Sequence, residues 1–205
     1  MDERKEKIIL TARRLFVNYG IRNVTMDEIA VETGMSKKTI YQIISDKKEL
    51  IREVMHYEMD LLQQSIMQII NDDSLNPIDK NIKINGLIIR MAKNYPSQVE
   101  RDLNRFYPDI AEELRKNMMD RMFRSIVENL KKGIAAGYYR SDINPEIIAG
   151  LQMTRSAYIK QKDNNPYLAS FSVEQILKEI LKYHLYGICS SKGLEYLKTI
   201  NFDEI

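Results

Sequence analysis

Apolar residues recur at three- and four-residue steps along almost the whole chain, the spacing that gives an α-helix one buried face. Ile8, Ala12, Leu15, Phe16 and Tyr19 form the first such stripe, and Gly20 stops it. A short second signal opens at Thr25, which makes a capping box with Glu28 and starts a helix at Met26. Gly34 ends that helix, and Ser36 caps a third through Lys37, Thr39, Ile40 and Ile43. Asp46 with Glu49 repeats the capping device. The helix it opens runs without proline or glycine through Leu50, Val54, Met55, Met59, Leu62, Ile66 and Ile70 toward Asn71.

Beyond a polar loop at 72–77, the pattern predicts a helix through Ile84, Leu87, Ile88 and Met91 that Tyr95-Pro96 breaks. A shorter helix spans 97–106. Pro108 then sits in the first turn of a long one carrying Ile110, Leu114, Met118, Met122, Ile126, Val127, Leu130 and Ile134 and ending at Gly137. Asn144 caps and Pro145 leads a helix over about 145–162, and Ser172 with Gln175 caps another over 173–190 after the loop at 163–166. The expected fold is all-α: a three-helix helix-turn-helix domain at 1–46, followed by a larger helical domain at 47–205.

The two short helices between Thr25 and Lys48 are joined by a turn tight enough to set them at a steep angle. Ala30, Gly34 and Ile40 fall where such a crossing needs a small residue, a turn glycine and an apolar return, with Ile29 and Ile43 completing the wedge. The second helix of such a pair fits the DNA major groove, and helix N-termini and lysines meet phosphates beside it. Lys37, Lys38, Lys47 and Lys48 supply charge, which gives affinity and salt dependence more than sequence choice. Thr39, Tyr41 and Gln42 are the candidates for base or sugar contact, since Gln pairs bidentately with adenine and Thr touches a thymine methyl. Thr25 and Ser36, at the two helix starts, complete the expected DNA-binding set.

These residues carry a specific resemblance. Residues 4–55, centred on LFVNYGIRNVTMDEIAVETGMSKKTIYQIISDKKELI, resemble the DNA-binding domain of the TetR/AcrR family of bacterial transcriptional regulators. The shared features are Tyr19-Gly20 at the end of the first helix, the T-x-x-x-I-A segment, the G-M-S turn, the T-I-Y of the recognition helix, and Lys47 with Leu50. Ile44 departs from the family, which places an aromatic there, and is expected to alter packing and not to abolish DNA binding.

Composition narrows the reading. The 205 residues are 44% hydrophobic, enough for a small head and a larger body, and the net charge of only +2 leaves any DNA footprint to local clustering. Cys189 is the single cysteine, so no intramolecular disulfide forms, and with His56 and His184 it gives no metal-ligand spacing. No apolar run approaches a membrane span, and the charged start MDERKEK has no apolar stretch behind it, which points to the cytoplasm. No catalytic motif or cofactor-binding signature is present, and no cofactor is expected. His56 reads as an exposed or interhelical histidine, or else as a switch; Glu112 and Glu113 read as a solvated helix face.

Two features of the body stay open on sequence alone. The helix from Asp46 serves as a connector or as a rigid lever between head and body, and the resemblance favours the lever. Methionines and aromatics on successive helices form plain core or line an adaptable apolar pocket. The candidates are Met59, Leu62, Ile66, Met91, Phe106, Met118, Met122, Phe123, Met153 and Tyr158, with Met67 and Met119 in the same distribution and Arg90, Arg121, Gln152 and Arg155 as possible polar contacts. The apolar residues Val173, Ile176, Leu177, Ile180, Leu181, Leu185 and Ile188 spread around more than one face of the last long helix. The resemblance implies that the domain at 47–205 serves ligand binding and dimerisation, with a homodimer through the last two long helices, an operator of palindromic double-stranded DNA, and an unknown small apolar or amphipathic effector that releases a repressor. A constitutive or architectural DNA-binding protein whose body only dimerises is the alternative.

Overall fold

The computed structural model of the chain describes residues 2–94, 97–160 and 165–202, with the side chains of all of these but 91–94, 97 and 155–160. Among the described residues ten helices follow one another: α1 (Glu3–Tyr19), α2 (Met26–Thr33), α3 (Lys37–Tyr41), α4 (Lys47–Ile70), α5 (Pro77–Asn94), α6 (Ser97–Phe106), α7 (Pro108–Ala135), α8 (Pro145–Lys160), α9 (Val173–Ile188) and α10 (Ser191–Leu197). No strand occurs among the described residues; one isolated antiparallel bridge pairs Tyr139 with Cys189. The all-α architecture with an N-terminal helix-turn-helix is thus established. The expected breaks at Tyr95-Pro96 and at Asp163-Asn164 lie outside the described residues.

The chain forms two compact units, the first comprising Met1–Ser65 with Tyr95–Met118 and the second Ile66–Asn94 with Met119–Ile205. The division falls inside α4 and inside α7, so each of these helices contributes to both.

In the first unit, Ile8, Ile9, Ala12, Leu15 and Phe16 of α1 pack with Ile29, Ile40, Ile44, Leu50, Ile51 and Val54. The core also takes Val99 from α6 and Ile110 and Leu114 from α7. Tyr19, expected on the buried stripe of α1, is instead 61% exposed. It sits in the last turn, just before Gly20 takes φ of +81° and the chain leaves the helix. Arg13 and Glu58 pair across α1 and α4. A ladder ties α4 to α7: Lys48 to Asp109 at 2.8 Å, Arg52 to Asp109 and Glu113 at 3.8 and 3.2 Å, and His56 to Glu113 at 3.1 Å.

In the second unit, Ile78 of α5, Leu130 of α7, Ala149 of α8 and Leu181, Leu185 and Ile188 of α9 surround Tyr139. On α5 the fully buried apolar residues are Ile78 and Ile89, while Ile84, Leu87 and Ile88 are half-buried. Tyr139 donates its hydroxyl to the Pro77 carbonyl at 2.9 Å and to Asn129 Oδ1 at 3.1 Å, which satisfies the one polar atom this burial would otherwise leave unpaired. The ring lies so close to α7 that a Cβ on Gly133 would meet it at 2.0 Å. Helix α10 was not anticipated from the sequence; Ser190 caps it through the Gly193 N–H, and its Leu197 closes the core.

Candidate nucleic-acid interface

The site begins with the turn after α1. Gly20 and the following residues carry the chain to Thr25, whose hydroxyl accepts the Glu28 N–H at 3.2 Å while Glu28 accepts the Thr25 N–H at 2.7 Å. This reciprocal box satisfies two of the donors that a helix start leaves unpaired. The same bonds hold the Glu28 carboxyl below its usual range. Gly34 ends α2 in the left-handed conformation at φ +67°, and its N–H returns to Val31 O. Two residues later Ser36 caps α3 by accepting the Thr39 N–H at 3.1 Å.

Helix α3 is only five residues long, shorter than the run to Ile43 expected from the sequence. The chain turns at Gln42, yet Ile43, half-buried, packs against the core and Ile44 is wholly buried. Ile29, Ala30 and Ile40 occupy the wedge as expected. The departure at Ile44 is therefore a core substitution facing away from solvent. At the start of α4, Asp46 Oδ1 accepts the Glu49 N–H at 2.7 Å, but Glu49 reaches back to the N–H of Ser45 and not to that of Asp46.

What the short helix presents outward is polar. Ser36, Lys37, Lys38, Tyr41 and Gln42 are exposed and Thr39 is half-exposed, its hydroxyl bonded to Ser36 Oγ at 2.8 Å. The lysines differ in their surroundings. Lys37 pairs with Asp27 at 2.7 Å, an attachment that raises its pKa, and Lys48 pairs with Asp109. Lys47 donates to the Arg22 carbonyl at 3.3 Å, and burial lowers its pKa against the pull of Asp102 and Glu28. Lys38 has no acidic partner among the described residues.

The structure brings the eight expected DNA-contacting residues together at the start of α2, along α3 and at the start of α4, all within the first unit. The ten expected ligand contacts are divided between the two units. Met59, Leu62, Phe106 and Met118 belong to the first unit, and Ile66, Met122, Phe123 and Met153 to the second. Met91 and Tyr158 also fall in the second, but their side chains, like that of Arg155, lie outside those described. Met59 packs on the first core, Ile66 is buried, and Met118 is exposed. An open cleft of about 710 Å³ between α7 and α8 is lined by Met119, Asp120, Phe123, Arg124, Met153 and Thr154, so among the described side chains it takes Phe123 and Met153 from the ten. Met119 is the methionine next to them that sequence reasoning ranked no higher than the rest. Phe106 lines a different cleft, among arginines of the first unit.

Among the described residues no cluster of metal-ligating side chains occurs, and no helix is long and apolar enough to cross a membrane.

Residues 8–54 match the domain family described as bacterial regulatory proteins, tetR family. The HTH-type transcriptional activator FasR of Mycolicibacterium smegmatis is 37% identical over 67 residues, a match covering 33% of this chain and 31% of that protein. The HTH-type transcriptional repressor KstR2 of the same organism is 23% identical over 202 residues, 93% of each chain. A transcriptional regulator from Saccharomonospora viridis, solved in complex with choline, shares the fold with a TM-score of 0.72 at 20% identity, over 93% of this chain and all of that one. These relatives are regulators of transcription and not enzymes.

Proposed function

We propose that the chain, whose residues 8–54 match the tetR family, is a TetR-family transcriptional regulator and a ligand-responsive repressor acting in the cytoplasm. It binds a palindromic operator as a homodimer and leaves it when a small apolar or amphipathic molecule binds the helical body. The observation that carries the DNA-reading half is the capped, five-residue α3, which offers Lys38, Tyr41 and Gln42 to solvent from a buried Ile40 anchor.

Symmetry sets the rest of the reading. Two copies related by a two-fold axis put their α3 helices into successive major grooves about 34–36 Å apart. Exposed Ile147 and Leu151 on α8, and Tyr183 and Tyr186 on α9, supply an apolar surface for that dimer. The unbroken course of α4 from Lys47 to Ile70 supports its use as a lever. The α7–α8 cleft, with Met119, Phe123 and Met153, supports an apolar effector. Such an effector shifts operator binding only by its differential affinity for two conformations, typically about 1–3 kcal/mol.

One observation favours the second reading, a constitutive DNA-binding protein whose body only dimerises: the cleft is open and, among the described side chains, gathers two of ten expected contacts. Screening an apolar and amphipathic library for compounds that both raise the thermal midpoint and lower operator affinity separates the two. Compounds doing both support the ligand-responsive repressor; a library that moves neither supports the constitutive protein.

A further inference from the structure

The first unit carries a second polar feature that the helix-turn-helix does not use. A cleft of about 700 Å³ is walled by Arg22 and Asn23 from the α1–α2 turn and by Arg101, Asn104, Arg105 and Phe106 from α6. The Arg22 guanidinium lies 5.0 Å from the centre of the Phe106 ring and that of Arg105 lies 5.4 Å from it. Two cations from different elements thus share one half-exposed ring. Neither Arg22 nor Arg105 has a carboxylate partner among the described residues.

The ring face neutralises neither charge, whereas a phosphate accepting from both guanidinium groups would do so with charge-assisted hydrogen bonds. Two carboxylates share the cleft with three arginines. Asp102 is buried and already accepts the Arg22 N–H at 3.0 Å and the Gln98 side chain at 2.7 Å, and Glu100 is exposed on the wall. Asp102 also fixes the geometry: it fills the space a Cβ on Gly20 would need, at 2.9 Å, and so locks the turn from which Arg22 projects. The cleft is tied to the reading site: Lys47 holds the Arg22 carbonyl, and Arg22 stands three residues before the cap Thr25.

We propose that Arg22 and Arg105 grip a DNA backbone phosphate outside the major-groove site, so that each head contacts the duplex beyond its half-site. This rests on the DNA-reading function of the head and adds a flanking contact made by α6.

The test uses full-length protein and the duplex it selects from a random library. That duplex is cut to its selected core, or kept with about ten further base pairs on each side. Wild-type protein should bind the extended duplex more tightly than the core. For Arg22→Ala/Arg105→Ala that gain should disappear, and the slope of log affinity against log salt on the extended duplex should fall by about 1.8, two phosphates per dimer at about 0.9 each. Arg22→Lys/Arg105→Lys, which keeps the charge, should restore most of the slope. Equal wild-type affinity for the two duplexes would overturn the proposal, as would an alanine variant that folds with an unchanged midpoint and keeps the full slope. Should the alanine variant not fold, the lysine variant and the wild-type length dependence decide. Failure of wild-type protein to select any duplex would instead overturn the reading of the head, and this proposal with it.

Discussion

Lys47 and Lys38 show how surroundings decide what a charge is for. Lys47 spends a hydrogen bond on Arg22 O, and burial makes its charged form harder to keep, whereas Lys38 projects from α3 with no acidic partner among the described residues. Lys38→Ala should therefore weaken binding to every duplex and flatten its salt dependence while leaving the thermal midpoint nearly unchanged. Lys47→Ala should also lower stability by about 1 kcal/mol, since the Arg22 carbonyl loses its donor. Paired retardation assays and urea titrations check both. Cys189 is a second case: it is buried, and that burial pushes its thiol up to about 12. It should stay protonated at neutral pH and resist iodoacetamide until the second unit opens, so that its alkylation rate, followed by mass spectrometry, reports unfolding. Gly133→Ala places a Cβ against the Tyr139 ring and should destabilise by about 1–3 kcal/mol, read as a lower urea midpoint.

At the scale of elements, what was legible in the sequence was local. Thr25 with Glu28, Gly34, Ser36, Asn144 and Ser172 with Gln175 each mark a helix end by their own side-chain chemistry, and each does so in the structure. The period of 3.6 misplaces residues at helix ends: Tyr19, the last residue of α1, is exposed, and Ile44, beyond α3, is wholly buried while Ile43 is half-buried against the core. Tyr139 and α10 were illegible because their places depend on partners distant in sequence, Pro77 for the one and Tyr138 for the other. The expected DNA-contacting residues stood close together in sequence and fall together in space; the expected ligand contacts were drawn from many helices, and no local signal said which of them meet. The carboxylates at the helix ends yield a further prediction. Bonds from Thr25 hold Glu28 low, bonds from Ser45 hold Glu49 low, and the Lys48 ammonium holds Asp109 low. A carboxyl whose pKa is lower folded than unfolded contributes stability above its unfolded value and loses it as pH falls through the folded one. The thermal midpoint should accordingly drop between about pH 5 and pH 3, and Asp109→Asn should make that drop shallower.

For the whole molecule, the proposed function makes the reading site half of a device, because a five-residue helix reads too few base pairs to specify an operator alone. Leu151→Glu/Tyr183→Glu, placed on the exposed faces of α8 and α9, should shift the protein toward monomer in sedimentation and reduce operator affinity, with helicity retained. The central claim is that exposed side chains of α3 read bases in two symmetric half-sites. Selection of bound sequences from random DNA by wild-type protein and by Gln42→Ala tests it most directly. Wild-type protein should enrich an inverted repeat with half-site centres about one helical turn apart, and Gln42→Ala should relax the preference at the same position in both halves. Enrichment of no sequence by the wild type, or an identical enriched sequence from the two proteins, would contradict it.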